Sequence, residues 1–130
     1  MLGLDIAEGT FVVADFEAGI GTLTRLGETR VDAVLVVTDP TVKSLEVASR
    51  AATLAAEHTS GPIVIVANRV LDDADRDAVQ QALTGRIVVM VPEDGAIPAA
   101  DRADTAPLDA APDSPAVRAL RGVASLLLGV

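Results

Sequence analysis

Four short runs of mostly β-branched residues constrain the fold of this chain more than any other feature. They are Phe11-Val12-Val13-Ala14, Ala33-Val34-Leu35-Val36-Val37, Ile63-Val64-Ile65-Val66-Ala67 and Ile87-Val88-Val89-Met90-Val91. Each is continuous rather than alternating, as strands buried on both faces are. Each stops at a polar or turn residue: Asp15, Thr38-Asp39-Pro40, Asn68 and Pro92-Glu93-Asp94. All four predict strands.

Helical spacing fills the intervals. Leu45, Ala48, Ala52 and Ala55 recur every three or four residues, with Lys43, Glu46, Arg50 and Glu57 elsewhere on the wheel. Asp39 then Pro40 predicts the N-cap and first residue of that helix. Ala78, Val79, Ala82 and Leu83 mark a second helix, opened by Asp72 or Asp73 and closed by Gly85. Ser114 then Pro115 opens a third, with Val117, Leu120, Ala124 and Leu127 inward and Arg118 and Arg121 outward. Strands and helices that take turns over short links predict an α/β fold, a mostly parallel sheet of about four strands between layers of helices. The expected organisation is one domain over residues 1–130, with Gly95 to Asp113 an irregular surface segment.

Composition narrows the function. Half of the 130 residues are apolar, enough to offset the ordering entropy of a folded core. The absence of cysteine removes thiolate metal sites and thiol nucleophiles. A net charge of −9 argues against nucleic acid as a partner, since a phosphate backbone needs a clustered positive field. Two Phe and no Trp or Tyr leave no aromatic platform for stacking bases. No apolar stretch approaches the ~20 residues that span a bilayer, so no membrane association is expected. Met1 to Ala7 has an acid at Asp5 and no basic region, unlike a signal peptide. The expected location is the cytoplasm.

In open parallel sheets, ligands sit outside the carboxyl ends of the strands. Asp15, Asp39, Asn68 and Asp94 are therefore the candidates for chemistry. The competing reading is that acids and amides cap helices after strands.

These residues carry a resemblance. Val12-Val13-Ala14-Asp15-Phe16-Glu17-Ala18-Gly19 resembles the Walker B and switch II segment of MinD/ParA-like phosphate-loop ATPases. The form Asp-x-Glu-Ala-Gly is similar to the branch that assists nickel insertion into carbon monoxide dehydrogenase. Asp32 to Pro40 with Ser44-Leu45 resembles the strand and helix after switch II. Ile65-Val66-Ala67-Asn68-Arg69-Val70 resembles the base-recognition strand, and Val91-Pro92-Glu93-Asp94-Gly95-Ala96-Ile97 the adenine-side loop. Pro107-Leu108 through Ala119 resembles the C-terminal stretch of the family. The likeness runs in order over about residues 10 to 125.

The resemblance implies a partial Rossmann-like nucleotide-binding domain whose cofactors are ATP and magnesium. It makes Asp15 the catalytic acid that orients magnesium through water, and Gly19 the switch glycine whose N–H meets a γ-phosphate. It makes Asn68 the reader of the adenine edge, with Arg69, Pro92, Glu93 and Asp94 beside the base. The partners it implies are a second copy in a homodimer or a missing N-terminal half, and a metalloenzyme client.

Two parts of the family pattern are missing. Its opening phosphate loop, G-K-G-G-x-x-K-S/T, has no counterpart. The single lysine, Lys43, follows Asp39-Pro40-Thr41-Val42, which brings an anion and no glycine. The paired metal-bridging cysteines are also absent, and His58, the one histidine, makes no metal site alone. The chain by itself is therefore expected not to hydrolyse ATP. Two functions compete: an ATPase-family protein whose first half lies outside this sequence, and a non-catalytic interaction module. A receiver domain phosphorylated on Asp15 lacks the acidic pair and the late lysine it requires. Without the strand that the family places between them, the Phe11 run is expected to pair directly with the Ala33 run.

Overall fold

The computed structural model describes residues 8–16 and 29–129. Three strands form one parallel sheet in the order β1 (Val34–Thr38), β2 (Ile63–Val70), β3 (Ile87–Pro92). The helices among the described residues are α1 (Val42–Ala55), α2 (Asp73–Ala82), α3 (Ala96–Arg102), α4 (Pro107–Ala110) and α5 (Pro115–Leu128). The expected three-layer α/β architecture is therefore present, with three strands among the described residues where about four were expected.

The difference lies at Phe11-Val12-Val13-Ala14. These residues form no strand and lie exposed, Phe11 at 78% and Val13 at 91%. Direct pairing with β1 does not occur: β1 pairs only with β2 among the described residues. A β-branched run becomes a strand only when a neighbour accepts its hydrogen bonds, and here none of the described residues does so. Met1 to Ala7 and Gly19 lie outside the described residues.

Both crossovers place their helices on the same face, as successive right-handed βαβ units require when the strands step in one direction. There Leu45, Ala48 and Ala52 of α1 meet Ile65, Ala67 and Val70 of β2, with Val79 and Leu83 from α2 and the chain just after it. The alanine stripe brings α1 close to the sheet, and Leu45 supplies the bulk. On the other face Ala116 and Val123 of α5 pack on Val66 and Val91, with Val89, Ile97, Ala119 and Leu127 around them. The inward stripe of α5 thus differs from the expected one. Ala116, Val117 and Val123 are buried, whereas Leu120 stays 45% exposed and Ala124 is exposed.

Helix starts follow local chemistry. The N-cap of α1 is Thr41 rather than Asp39: its hydroxyl oxygen accepts the Ser44 N–H at 3.3 Å. Asp72 caps α2 by accepting the Asp75 N–H at 2.9 Å, and Asp75 accepts the Leu71 N–H in return. Ser114 caps α5, Pro115 fills its first turn, and Gly129 closes it at φ +71°. Residues 95–113, expected to be irregular, instead hold α3 and α4. Four alanines, Ala96, Ala99, Ala100 and Ala103, support the first of these. The expectation failed because a single helical turn or two shows too little periodicity to read.

The link from α1 to β2 guides the chain into β1. Val31 N–H donates to the His58 carbonyl at 2.9 Å, Val34 N–H donates to the Pro62 carbonyl, and His58 Nδ1 lies 3.1 Å from the Thr29 carbonyl oxygen. Gly61 is needed at this approach, because a Cβ there would overlap the Asp32 carbonyl oxygen. His58 is thus a buried structural residue.

Candidate functional site

The carboxyl end of the sheet is shaped by an irregularity in β2. Its register with β3 runs Val64↔Ile87 through Ala67↔Met90 and resumes at Val70↔Pro92. Three residues of β2 therefore span two of β3, the count of a β-bulge. Arg69 takes up the extra residue with φ +59°. A left-handed backbone costs a non-glycine residue about 1–2 kcal/mol.

The bulge has a packing consequence. Without it, Val70 would share a face with Val66; with it, Val70 joins Ile65 and Ala67 in the α1–α2 core. Asn68 and Arg69 are left at the strand end, Asn68 half-buried and Arg69 exposed. The Arg69 guanidinium Nε stands 3.7 Å from Glu93 Oε2, and the Glu93 N–H donates to the Val70 carbonyl at 2.9 Å. Both side chains are open to solvent, so the pair adds little stability. The backbone bond from Glu93 to Val70 is what joins the ends of β2 and β3 beside Asn68.

Asp94 has a defined structural task. Its Oδ1 accepts the Ala96 N–H at 2.9 Å and its Oδ2 the Ala116 N–H at 3.0 Å. One carboxylate thus joins the starts of α3 and α5. The Ala116 N–H first and then the Ala96 N–H hold this carboxyl below its ordinary range, against the opposing effect of burial and with a lesser contribution from Ser114. The capping role considered for Asp94 is the one its geometry displays. Pro92 ends β3 half-buried opposite Val70.

The structure thus brings Asn68, Arg69, Pro92, Glu93 and Asp94 to one end of the sheet. Asp39 follows β1 at the same end, where the buried Thr38 hydroxyl donates to its carbonyl at 2.9 Å. Asp15 lies in the exposed irregular stretch after Val13, not at a strand end. Among the described residues no three His, Asp or Glu side chains gather as metal ligands. An open groove runs between α1 and α2, beside Leu45, Ser49, Arg50 and Gln81, on the outer helical layer. It is separate from the residues that the sequence singles out.

The bulge and the left-handed Arg69 were not anticipated. A signal existed: Ile65 and Ala67 keep period two, and the next buried apolar residue on that face is Val70, not residue 69. A phase break of one residue inside a strand is what a bulge produces.

Fold and site define a class, a parallel three-layer α/β domain with polar residues collected at the carboxyl edge of its strands. No known family's sequence profile matches the chain. It is similar to an uncharacterized ATP-binding protein of Methanocaldococcus jannaschii, with 27% identity over 121 residues. The matched region is 91% of this chain and 46% of that protein, so the chain spans about half the length of the relative it matches. No helix among the described residues is long and apolar enough to cross a membrane.

Proposed function

We propose that this chain is part of an ATP-binding protein and supplies the side of the site that meets the adenine. The observation that carries this reading is the similarity over 121 residues to a protein named for ATP binding. The placement of Asn68, Arg69, Pro92, Glu93 and Asp94 at one end of the sheet supports it, since that end is where parallel sheets bind ligands. Asn68 offers an amide donor and acceptor for the adenine edge. Arg69 and Glu93 flank it, while Asp94 holds the loop after β3 in place and is itself engaged by two backbone N–H groups.

The described residues fit the base better than the phosphates. They offer no glycine-rich turn backed by a lysine, and Asp15 does not stand with other magnesium ligands. In the wider reading the parent protein is an ATP-driven switch that assists a client, metallocluster maturation being the role that the Asp-x-Glu-Ala-Gly form suggests. A second reading, a non-catalytic interaction module, draws support from the apolar side chains exposed around β1.

Isothermal titration of the chain with ATP and with GTP tests the first reading. Saturable ATP binding that weakens at least tenfold in Asn68→Ala, with GTP bound more weakly, is the expected result. No binding up to millimolar ATP overturns it for this chain and leaves the interaction module.

A further inference from the structure

Less apolar burial holds α5 to the sheet than holds the helices on the other face. Among the described residues its core has four buried members, Val66, Val91, Ala116 and Val123, against eight in the core of α1 and α2. Leu120, Leu126 and Leu128 of the helix stay about half exposed. A helix of 14 residues is marginal by itself in water, so α5 depends on its docking. Elements with few buried apolar contacts are the first to open locally.

The start of α5 is its most specific attachment. Ala116 is fully buried, and its N–H is a first-turn donor that no carbonyl of the same helix reaches. Ser114 serves the next donor, the Val117 N–H, from within the same turn at 3.4 Å. Ala116 relies instead on Asp94, 22 residues earlier, whose Oδ2 accepts at 3.0 Å. The Ala96 N–H fixes the other oxygen of that carboxylate at 2.9 Å. Asp94 directly follows Glu93, whose N–H donates to the Val70 carbonyl and whose carboxylate stands 3.7 Å from Arg69. The loop that faces Asn68 and Arg69 on one side therefore grips α5 on the other.

We infer that ATP occupancy at the strand ends is coupled to the docking of α5, with Asp94 as the joint, so that bound nucleotide tightens α5 on the sheet. This rests on the ATP reading and adds a means of regulating that site. Linkage sets the direction. A base beside Asn68 and Glu93 meets this arrangement only while Pro92 to Gly95 keep their shape, and the two bonds of Asp94 keep that shape while α5 is docked. The nucleotide thus has greater affinity for the docked state and shifts the population toward it. With both oxygens engaged by backbone N–H groups, Asp94 acts here as a positioning residue rather than as a contact to the base.

Hydrogen exchange on the full chain tests this, with ATP absent and at about ten times the Kd measured by isothermal titration. The amides of α5 should exchange at least threefold more slowly with ATP, toward a ceiling of about elevenfold at that concentration. Those of α1, which Asp94 does not touch, should slow less. In Asp94→Asn an amide NH2 replaces one acceptor, and at the same saturation the slowing in α5 should fall below about 1.5-fold. Reciprocity gives an arm that leaves Asp94 intact: Val123→Ala, about two turns along α5 from Ala116, should weaken ATP binding at least twofold. Bound ATP with unchanged exchange in α5, equal slowing in α5 and α1, slowing that survives Asp94→Asn, or unchanged ATP affinity in Val123→Ala would each overturn the coupling and leave the ATP reading standing. No ATP binding at all would overturn that reading, and the coupling with it.

Discussion

The sheet of this protein has one face that is finished and one that is not. Toward α1 and α2, all three strands are covered: Val36, Ile65, Ala67, Val70, Val88 and Met90 meet the two helices in one continuous core. Toward α5 the cover reaches β3 and β2 and ends there, leaving Leu35 and Val37 in solvent. Yet β1 reads as apolar on both faces as β2 does. Its sequence is that of a strand buried on both sides, in a structure that buries one. A discrepancy of this kind marks an apolar surface that the described residues leave uncovered more sharply than a scattered exposed leucine can.

Substitutions can break or sharpen this contrast. The largest effect belongs to the covered face: Ile65→Ala, at a fully buried central position, should cost about 2–5 kcal/mol in urea unfolding. A loss below about 1 kcal/mol would mean that the α1–α2 core is not assembled as described. Adjacent residues of β1 give the most direct test. Val36→Ala should cost about 1–2 kcal/mol through its lost methyl groups, whereas Val37→Ala should stay within about 0.5 kcal/mol, as surface changes do. Equal costs would show that the second face is covered after all.

The α5 face also depends on one anion. Asp94→Ala should lower the melting midpoint by several degrees at neutral pH, by removing the acceptor for the Ala96 and Ala116 N–H groups. The carboxyl is held below its ordinary value near 3.8, so its contribution is complete above that pH and is lost as pH falls toward the lower folded value. Melting curves of the two proteins should therefore converge in acid. A gap that is unchanged below pH 3.8 would show that the loss is one of packing. A small effect is also expected at the bulge. Arg69→Gly should leave stability unchanged or raise it by up to about 1 kcal/mol, because glycine takes φ +59° freely. Arg69→Val should lose stability in the same urea titration, because a β-branched residue resists that conformation.

Much of the fold was legible in the residues. The runs that became β1, β2 and β3, the alanine-and-leucine stripe of α1 and the Ser114 cap all followed from pattern and local hydrogen-bonding chemistry, and Asp72 was one of two candidates for the cap of α2. Phe11-Val12-Val13-Ala14 misled because it has the composition of a strand without a paired neighbour among the described residues. Leu120 and Ala124 misled because helical spacing marks an apolar stripe and not the object it faces. At the candidate site, Asp15, Asp39, Asn68 and Asp94 were singled out at strand ends and the resemblance added Arg69, Pro92 and Glu93; all but Asp15 lie at that end of the sheet. The dual capping role of Asp94 joins residues 22 apart in the chain, which no local pattern could specify.

What the sequence determined alone was therefore short-range. Continuous β-branched runs, three- and four-residue apolar spacing and side-chain caps each act over a few residues, and they decide element type and approximate ends. The tertiary structure decided the matters that depend on distant chain. It set which runs find a strand to pair with, that Val70 rather than residue 69 enters the core, and that one face of β1 lies open. Burial and hydrogen bonding between strands are properties of two segments at once, so no reading of one segment contains them.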